Sequence, residues 1–342
     1  MGDIQVAERA LQHHFADMEQ QRETSSFGMW MFLLTEIMFF SGLFCAYLVY
    51  RASYYHAFVE GSQKMNITLG ATNTAVLICS SLTMALGVRA AQMGKPKLMA
   101  ILLLITILFG FGFLGIKAVE YHEHWVNHEF PGPNFHFETG DPAHPATDAQ
   151  HTEIYFSLYW AMTGLHALHM VIGIGLVAWL VIAGLMGAYT PHYYNPVENV
   201  GLYWHFVDLV WIYLFPMLYR SARNTAANEE HMAGHAEHNE ETGSVGHIAP
   251  ARLYVAIWAV LMVLTLTTVL VSMVDIGPMN IVVALVIATI KGTLVVLFFM
   301  HLRYSPKLTM ATVIAAVFWL FLLLSLTMTD YLTRAWSTYP GH

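Results

Sequence analysis

Read from the N-terminus, the chain alternates long apolar runs with polar breaks. A helix that crosses a bilayer needs roughly 20 apolar residues. Eight stretches meet that need: 27–50, 72–91, 98–119, 153–187, 199–219, 253–274, 280–302 and 308–331. They are apolar all round, the pattern of spans and bundle-interior helices. Backbone polar groups in hydrocarbon must bond within their own segment, which excludes lipid-exposed loops at depth. The predicted fold is therefore all-α: a polytopic integral membrane bundle of eight transmembrane helices. The fourth stretch is over-long and must tilt or protrude, with Gly184 or Gly187 ending it.

The polar breaks divide these helices five plus three. Residues 1–26 are polar and of mixed charge, without an apolar signal-peptide core. Residues 27–219 hold the first five helices. Residues 220–250, rich in Ala, Glu, His and Asn, read as a flexible linker, and residues 251–336 hold the last three helices. The stretch from Glu120 to Thr152 carries six acids and no Lys or Arg, and its Pro, Gly and aromatic content predicts an ordered, non-helical cap. Arg9, Arg22, Arg89, Lys95 and Lys97 fall on one side of the first five helices, against Arg51 and Lys64 on the other. The positive-inside rule then puts the N-terminus inside and, after five crossings, the linker outside. In the tail, Arg252, Arg303 and Lys307 oppose Arg334 and also ask for an inside start. Five crossings ahead of the linker cannot satisfy both preferences.

Composition agrees with a bilayer protein: 56% hydrophobic and 11% charged, where soluble domains carry roughly 25% charged residues. The net charge of −8 sits in loops, and no basic patch for nucleic acid is present. Cys45 and Cys79 both lie in apolar runs and offer no disulfide framework.

Candidate chemistry lies in the few ionisable groups at depth, because burying a charge there costs several kcal/mol unless it is partnered or neutralised. Glu36 stands near the middle of the first span, where a carboxyl is either a protonated structural group or a titrating one beside a proton route. His166 and His169 lie three apart on one helical face. A third metal ligand is missing from that spacing, so they are expected as hydrogen-bond partners for Glu36 or a carbonyl. His205 and Asp208 repeat the spacing and predict a structural polar pair that satisfies itself in a dry site, flanked by Trp204 and Trp211. Lys291 is too central in its span to snorkel and is expected to anchor a helix contact, most simply across a subunit boundary. The remaining histidines cluster in loops, without zinc-type spacing to cysteine. No catalytic residue and no metal site is expected.

Three function classes compete. A haem b electron-transfer bundle needs facing histidines on two helices at matched depths, which His166, His169, His205 and His301 do not supply. A secondary transporter favours repeated halves, which a five-plus-three division lacks. An accessory subunit of a larger complex needs only a few buried polar groups and small residues for close helix packing. Gly110, Gly112, Gly115, Gly164, Gly173 and Gly175 fit that class.

Particular motifs then carry a resemblance. GMWMFLLTEIMFFSGLFCAYLVYR (Gly28 to Arg51) resembles the carboxylate-bearing helix of subunit III of haem-copper cytochrome c oxidases. ATNTAVLICSSLTMA, GIKAVEY, TGLHALHMVIG and YWHFVDLVWIYLF are similar to that family's successive helices in order, over about residues 20–220. IKGTLVVLFFMHLRYSP (Ile290 to Pro306) resembles the three-helix subunit IV of bacterial oxidases. The resemblance implies a natural III–IV fusion in the bacterial inner membrane, a multi-pass subunit of a proton-pumping complex that reduces O2 to water. It implies haem and copper in partner subunits and none in this chain. The implied partners are a catalytic subunit I, a copper-bearing subunit II, membrane lipids and cytochrome c or a respiratory supercomplex. A quinol oxidase of the same superfamily is the alternative. Glu36 would be the family's carbodiimide-reactive carboxylate, with His166 or His169 as its partner, in a subunit that sustains proton uptake, binds phospholipid and protects the catalytic subunit. Set against the family's seven-helix form, the resemblance implies that the stretch matched here begins at the third helix, so that the first two are expected to be missing.

Overall fold

A computed structural model describes residues 11–137, 149–219, 251–272, 279–300, 302 and 307–334. The linker at 220–250 and much of the acidic loop, with His144, His231, His235, His238, His247 and His301, lie outside the described residues. Nine α-helices are present among them: α1 (Met18–Ser53), α2 (Tyr55–Gln63), α3 (Ile67–Gln92), α4 (Pro96–Val126), α5 (Ala149–Leu185), α6 (Asn195–Leu218), α7 (Ala251–Ser272), α8 (Met279–Leu294) and α9 (Lys307–Arg334). A π-helical turn, Val295–Phe299, follows directly on α8. By length and composition α1, α3, α4, α5, α6 and α7 can each cross a membrane, and α8 and α9 contribute shorter apolar stretches.

Local chemistry sets the helix ends. Asp17 accepts from the Gln20 amide at 2.7 Å, and Asn66 accepts from the Thr68 and Leu69 amides at 3.0 and 3.2 Å, each side chain satisfying orphan donors of a first turn. α1 thus begins inside the polar segment, about two turns before the apolar run. At its end α5 reaches Gly187, whose φ of +78° favours glycine, and the Ala188 amide returns to Ala183 O at 3.0 Å. Gly187, not Gly184, therefore ends the long helix. The acidic loop is shorter than its sequence suggests, because α4 runs on through Glu120 to Val126. The short α2, unanticipated in the sequence, presses Gly61 against Tyr155 of α5. A Cβ at Gly61 would stand 2.5 Å from the Tyr155 ring.

α6 is the hub, packed against α1, α3, α5 and α8 and buried along almost its whole length. Its two tryptophans knit it to its neighbours. Trp204 Nε1 donates to Ser80 Oγ and Trp211 Nε1 to Thr74 Oγ1, each at 3.1 Å, both on α3. The Trp204 ring also fills a notch where Gly110 of α4 and Gly173 of α5 leave no room for a side chain, a Cβ at either falling 3.0–3.2 Å from the ring. Helix association in lipid relies on such close packing, because lipid tails supply no hydrophobic drive between helices.

The last three helices dock on this frame. α7 lies on α3, α8 on α6 and α7, and α9 on α1. Gly292 of α8 meets Leu209 and Tyr213 of α6, where a Cβ would sit 3.0 Å from the Leu209 side chain.

Candidate functional site

Glu36 on α1 faces α5. Its Oε2 stands 3.3 Å from His169 Nε2, and both side chains are largely but not wholly covered. His169 Nδ1 lies 2.9 Å from the Leu165 carbonyl, so Nδ1 carries a proton and donates there. Nε2 is then left for Glu36. The pair can exist as neutral imidazole accepting from a carboxylic acid, or as imidazolium donating to a carboxylate. Either state holds one proton between the same two atoms. The Phe40 ring packs on His169 at 5.3 Å, and exposed Phe32, Phe39, Leu168 and Ile172 flank the pair on the apolar surface. The site thus borders the bundle's outer surface rather than its core.

His166 is not part of this pair. Three residues on an α-helix differ by roughly 60° in direction, enough to turn His166 into the core while His169 faces α1. His166 is 1% exposed, set between the rings of Phe113 and Trp211 at 5.3 and 5.2 Å, with no hydrogen-bond partner for either ring nitrogen among the described residues. The sequence-derived cluster of Glu36, His166 and His169 therefore reduces to Glu36 and His169.

A second ionic cluster was not legible as a site. Lys117 and Glu120 of α4, 2% and 1% exposed, pair at 3.2 Å. Tyr159 of α5 and Tyr219, just after α6, donate to the same Glu120 Oε1 at 2.6 and 2.5 Å, and Lys117 also donates to the Tyr219 hydroxyl at 2.8 Å. The ammonium lies 5.2 Å from the Trp211 ring centre. One buried ion pair thereby ties three helices together near the end of α4. One turn onward His124 bonds Glu129 at 2.5 Å. The K-x-x-E spacing at 117–120 was the available signal. It is weak because it straddles the end of the apolar stretch at residue 119.

His205 and Asp208 do not satisfy each other as expected. His205 Nδ1 instead meets Ser81 Oγ of α3 at 2.8 Å, while the His205 ring packs 5.5 Å from Phe299 of the π turn. Asp208 points into a small cavity beside Trp211. Lys291 is 1% exposed within this chain, next to the Gly292 contact with α6, so its burial needs no second subunit. Outside the spans, burial and the neighbouring Tyr193 push the Tyr189 hydroxyl up to about 12, which keeps that loop group neutral. Among the described residues no group of three or more His, Cys, Asp or Glu is placed to hold a metal ion.

Comparison with known proteins places this arrangement. Residues 3–222 match the family model described as cytochrome c oxidase subunit III, which is more than half of the chain. The chain belongs to the cytochrome c oxidase subunit III family. Residues 255–327 match a second model, prokaryotic cytochrome c oxidase subunit IV, so the two families meet in one polypeptide. A probable cytochrome c oxidase subunit 3 of Nocardia farcinica is 33% identical over 194 residues, 57% of this chain and 86% of that protein. Cytochrome c oxidase subunit 3 of Synechocystis is 31% identical, over 56% of this chain and 74% of that protein. Quinol oxidase subunit 3 of Bacillus subtilis is 30% identical, over 60% of this chain and 92% of that protein. The fused oxidase subunit III carries the Glu36–His169 pair on its first and fifth helices and its subunit IV part on the α1, α3 and α6 faces.

Proposed function

We propose that this subunit serves a cytochrome c oxidase of the bacterial inner membrane by holding an exchangeable proton at Glu36–His169 while haem and copper chemistry proceeds in partner subunits. The observation that carries the reading is the carboxyl–imidazole pair at 3.3 Å inside a span. A buried acid persists in hydrocarbon when a partner shares its proton. The pair borders an apolar surface that suits phospholipid tails, which links lipid binding to the same site. The chain supplies no catalytic group. A catalytic subunit and a copper-bearing subunit supply the metals, and cytochrome c supplies electrons. The Bacillus subtilis relative favours a second reading, in which a quinol is the donor.

The test uses the intact complex. Glu36→Gln is expected to assemble and to start turnover near the wild-type rate. Its number of turnovers before inactivation should fall by about tenfold, equivalent to ~1.4 kcal/mol in the barrier to inactivation. His169→Phe should behave alike, and the double variant should be no worse than either single one, as a shared proton requires. Unchanged endurance and unchanged proton uptake in both single variants would reduce the pair to packing. Co-purification of a two-copper subunit, with oxidation of reduced cytochrome c, separates the two donors; oxidation of quinol alone reverses the assignment.

A further inference from the structure

Asp208 is 2% exposed, and neither of its carboxyl oxygens has a hydrogen-bond partner of good geometry among the described residues. A buried carboxyl left so costs several kcal/mol in either protonation state unless something bonds it. The carboxyl opens into a cavity sized for a single water molecule. The polar walls come from the subunit III part: Asp208 itself, Thr74 and Ser81. Thr74 Oγ1 is engaged, donating to Gly70 O at 2.8 Å and accepting from Trp211 Nε1. Ser81 Oγ bonds His205 Nδ1 and also faces the Asp208 carboxyl. The apolar walls come from both parts: Leu77, Ile78 and Ile212 of the subunit III part, and Leu261 of α7 with Val295, first residue of the π turn, of the subunit IV part.

We propose that this cavity is an internal water site, one ordered water bonded to the Asp208 carboxyl and the Ser81 hydroxyl and sealed from lipid by Leu261 and Val295. The site is independent of Glu36–His169, which lies between α1 and α5. A water needs two to four polar partners to stay in a protein interior, and these two groups with the remaining Thr74 lone pair meet that requirement. The π turn has a role in this arrangement. It sets Val295 over the cavity and Phe299 against His205, so the fused subunit IV part closes a polar site that α3 and α6 leave open on one side. Single π turns within α-helices are frequent at functional sites.

The test is a single-particle map of the intact oxidase at a resolution that shows ordered waters. The wild type should show one density within hydrogen-bond distance of Asp208 and Ser81. Asp208→Asn should keep it, and Asp208→Leu should lose it. Val295→Phe should fill the cavity from the subunit IV side and also lose the density, with Asp208 untouched. If a variant fails to assemble, the wild-type and Asp208→Asn maps decide. A collapsed cavity, a direct side-chain bond to Asp208, or a hydrocarbon chain in that space in the wild type overturns the proposal.

Discussion

Lys117 illustrates how one side chain can be expensive and indispensable together. Its ammonium is stripped of water and repaid by Glu120, two tyrosine hydroxyls and the Trp211 face. Breaking such a pair from one side leaves an uncompensated buried charge, whereas replacing both partners by apolar groups is far cheaper. Lys117→Met is therefore expected to destabilise the bundle by about 3–5 kcal/mol, read as a shorter half-life of the detergent-solubilised complex. Lys117→Met with Glu120→Leu should recover much of that loss. A double variant as fragile as the single one would show that the tyrosines, not the charges, hold the cluster. Sequence pattern located Glu36, Asp208 and Lys291 because a charge well inside an apolar run stands out, and it passed over Lys117, two residues from the end of its run. It could not choose between His166 and His169, since helical spacing gives direction relative to the helix axis but not which neighbour lies there. Nor could it separate His205 from Asp208, because the Ser81 hydroxyl that meets His205 Nδ1 lies 124 residues away in sequence.

At the scale of elements, hydropathy gave the helices and erred at their ends. α1 and α4 outrun their apolar stretches because capping and amphipathic last turns, not hydropathy, set where a helix stops. The pairing of elements was beyond reach of the pattern, as segments apolar on every face carry no stripe that names a partner. The glycines partly did: Gly110 and Gly173 meet Trp204, while Gly115, Gly164 and Gly175 have nothing within 4 Å. Gly110→Leu should cost about 1–3 kcal/mol by overpacking, measured as lowered thermal stability of the complex, whereas Gly164→Ala should be near neutral. Equal effects would remove the Trp204 notch from the account. The docking of α8 on α6 makes a separate prediction. In a chain with Cys45 and Cys79 replaced by Ala, Leu209→Cys with Gly292→Cys should cross-link through a short bis-maleimide reagent. The two halves should then migrate as one band after the linker is cut. Two bands would place α8 elsewhere.

On the scale of the whole molecule, two oxidase families share one chain, and the tail is laid along three helices of the larger part rather than at one edge. If all five candidate spans ahead of residue 220 cross the bilayer, the chain leaves α6 on the side opposite the start of α1. A protease site inserted at residues 220–250 should therefore be cut from outside intact spheroplasts, and a tag at the N-terminus should be protected. The reverse pattern would invert the whole assignment and favour the tail's own charge bias. The polar break was readable from composition alone, and the two family matches, at 3–222 and 255–327, fall on either side of it. Which faces join the two parts was not readable, for that depends on shape.

Tyr219 closes α6 with its hydroxyl locked to Lys117 and Glu120, immediately before the connecting segment begins. The chain therefore leaves α6 from a rigid post instead of a fraying end. A fixed origin narrows the volume that the tethered helices can explore, which raises their local concentration at the receiving faces. Covalent fusion then does more than guarantee one-to-one stoichiometry: it shortens the search by which the tail finds its seat.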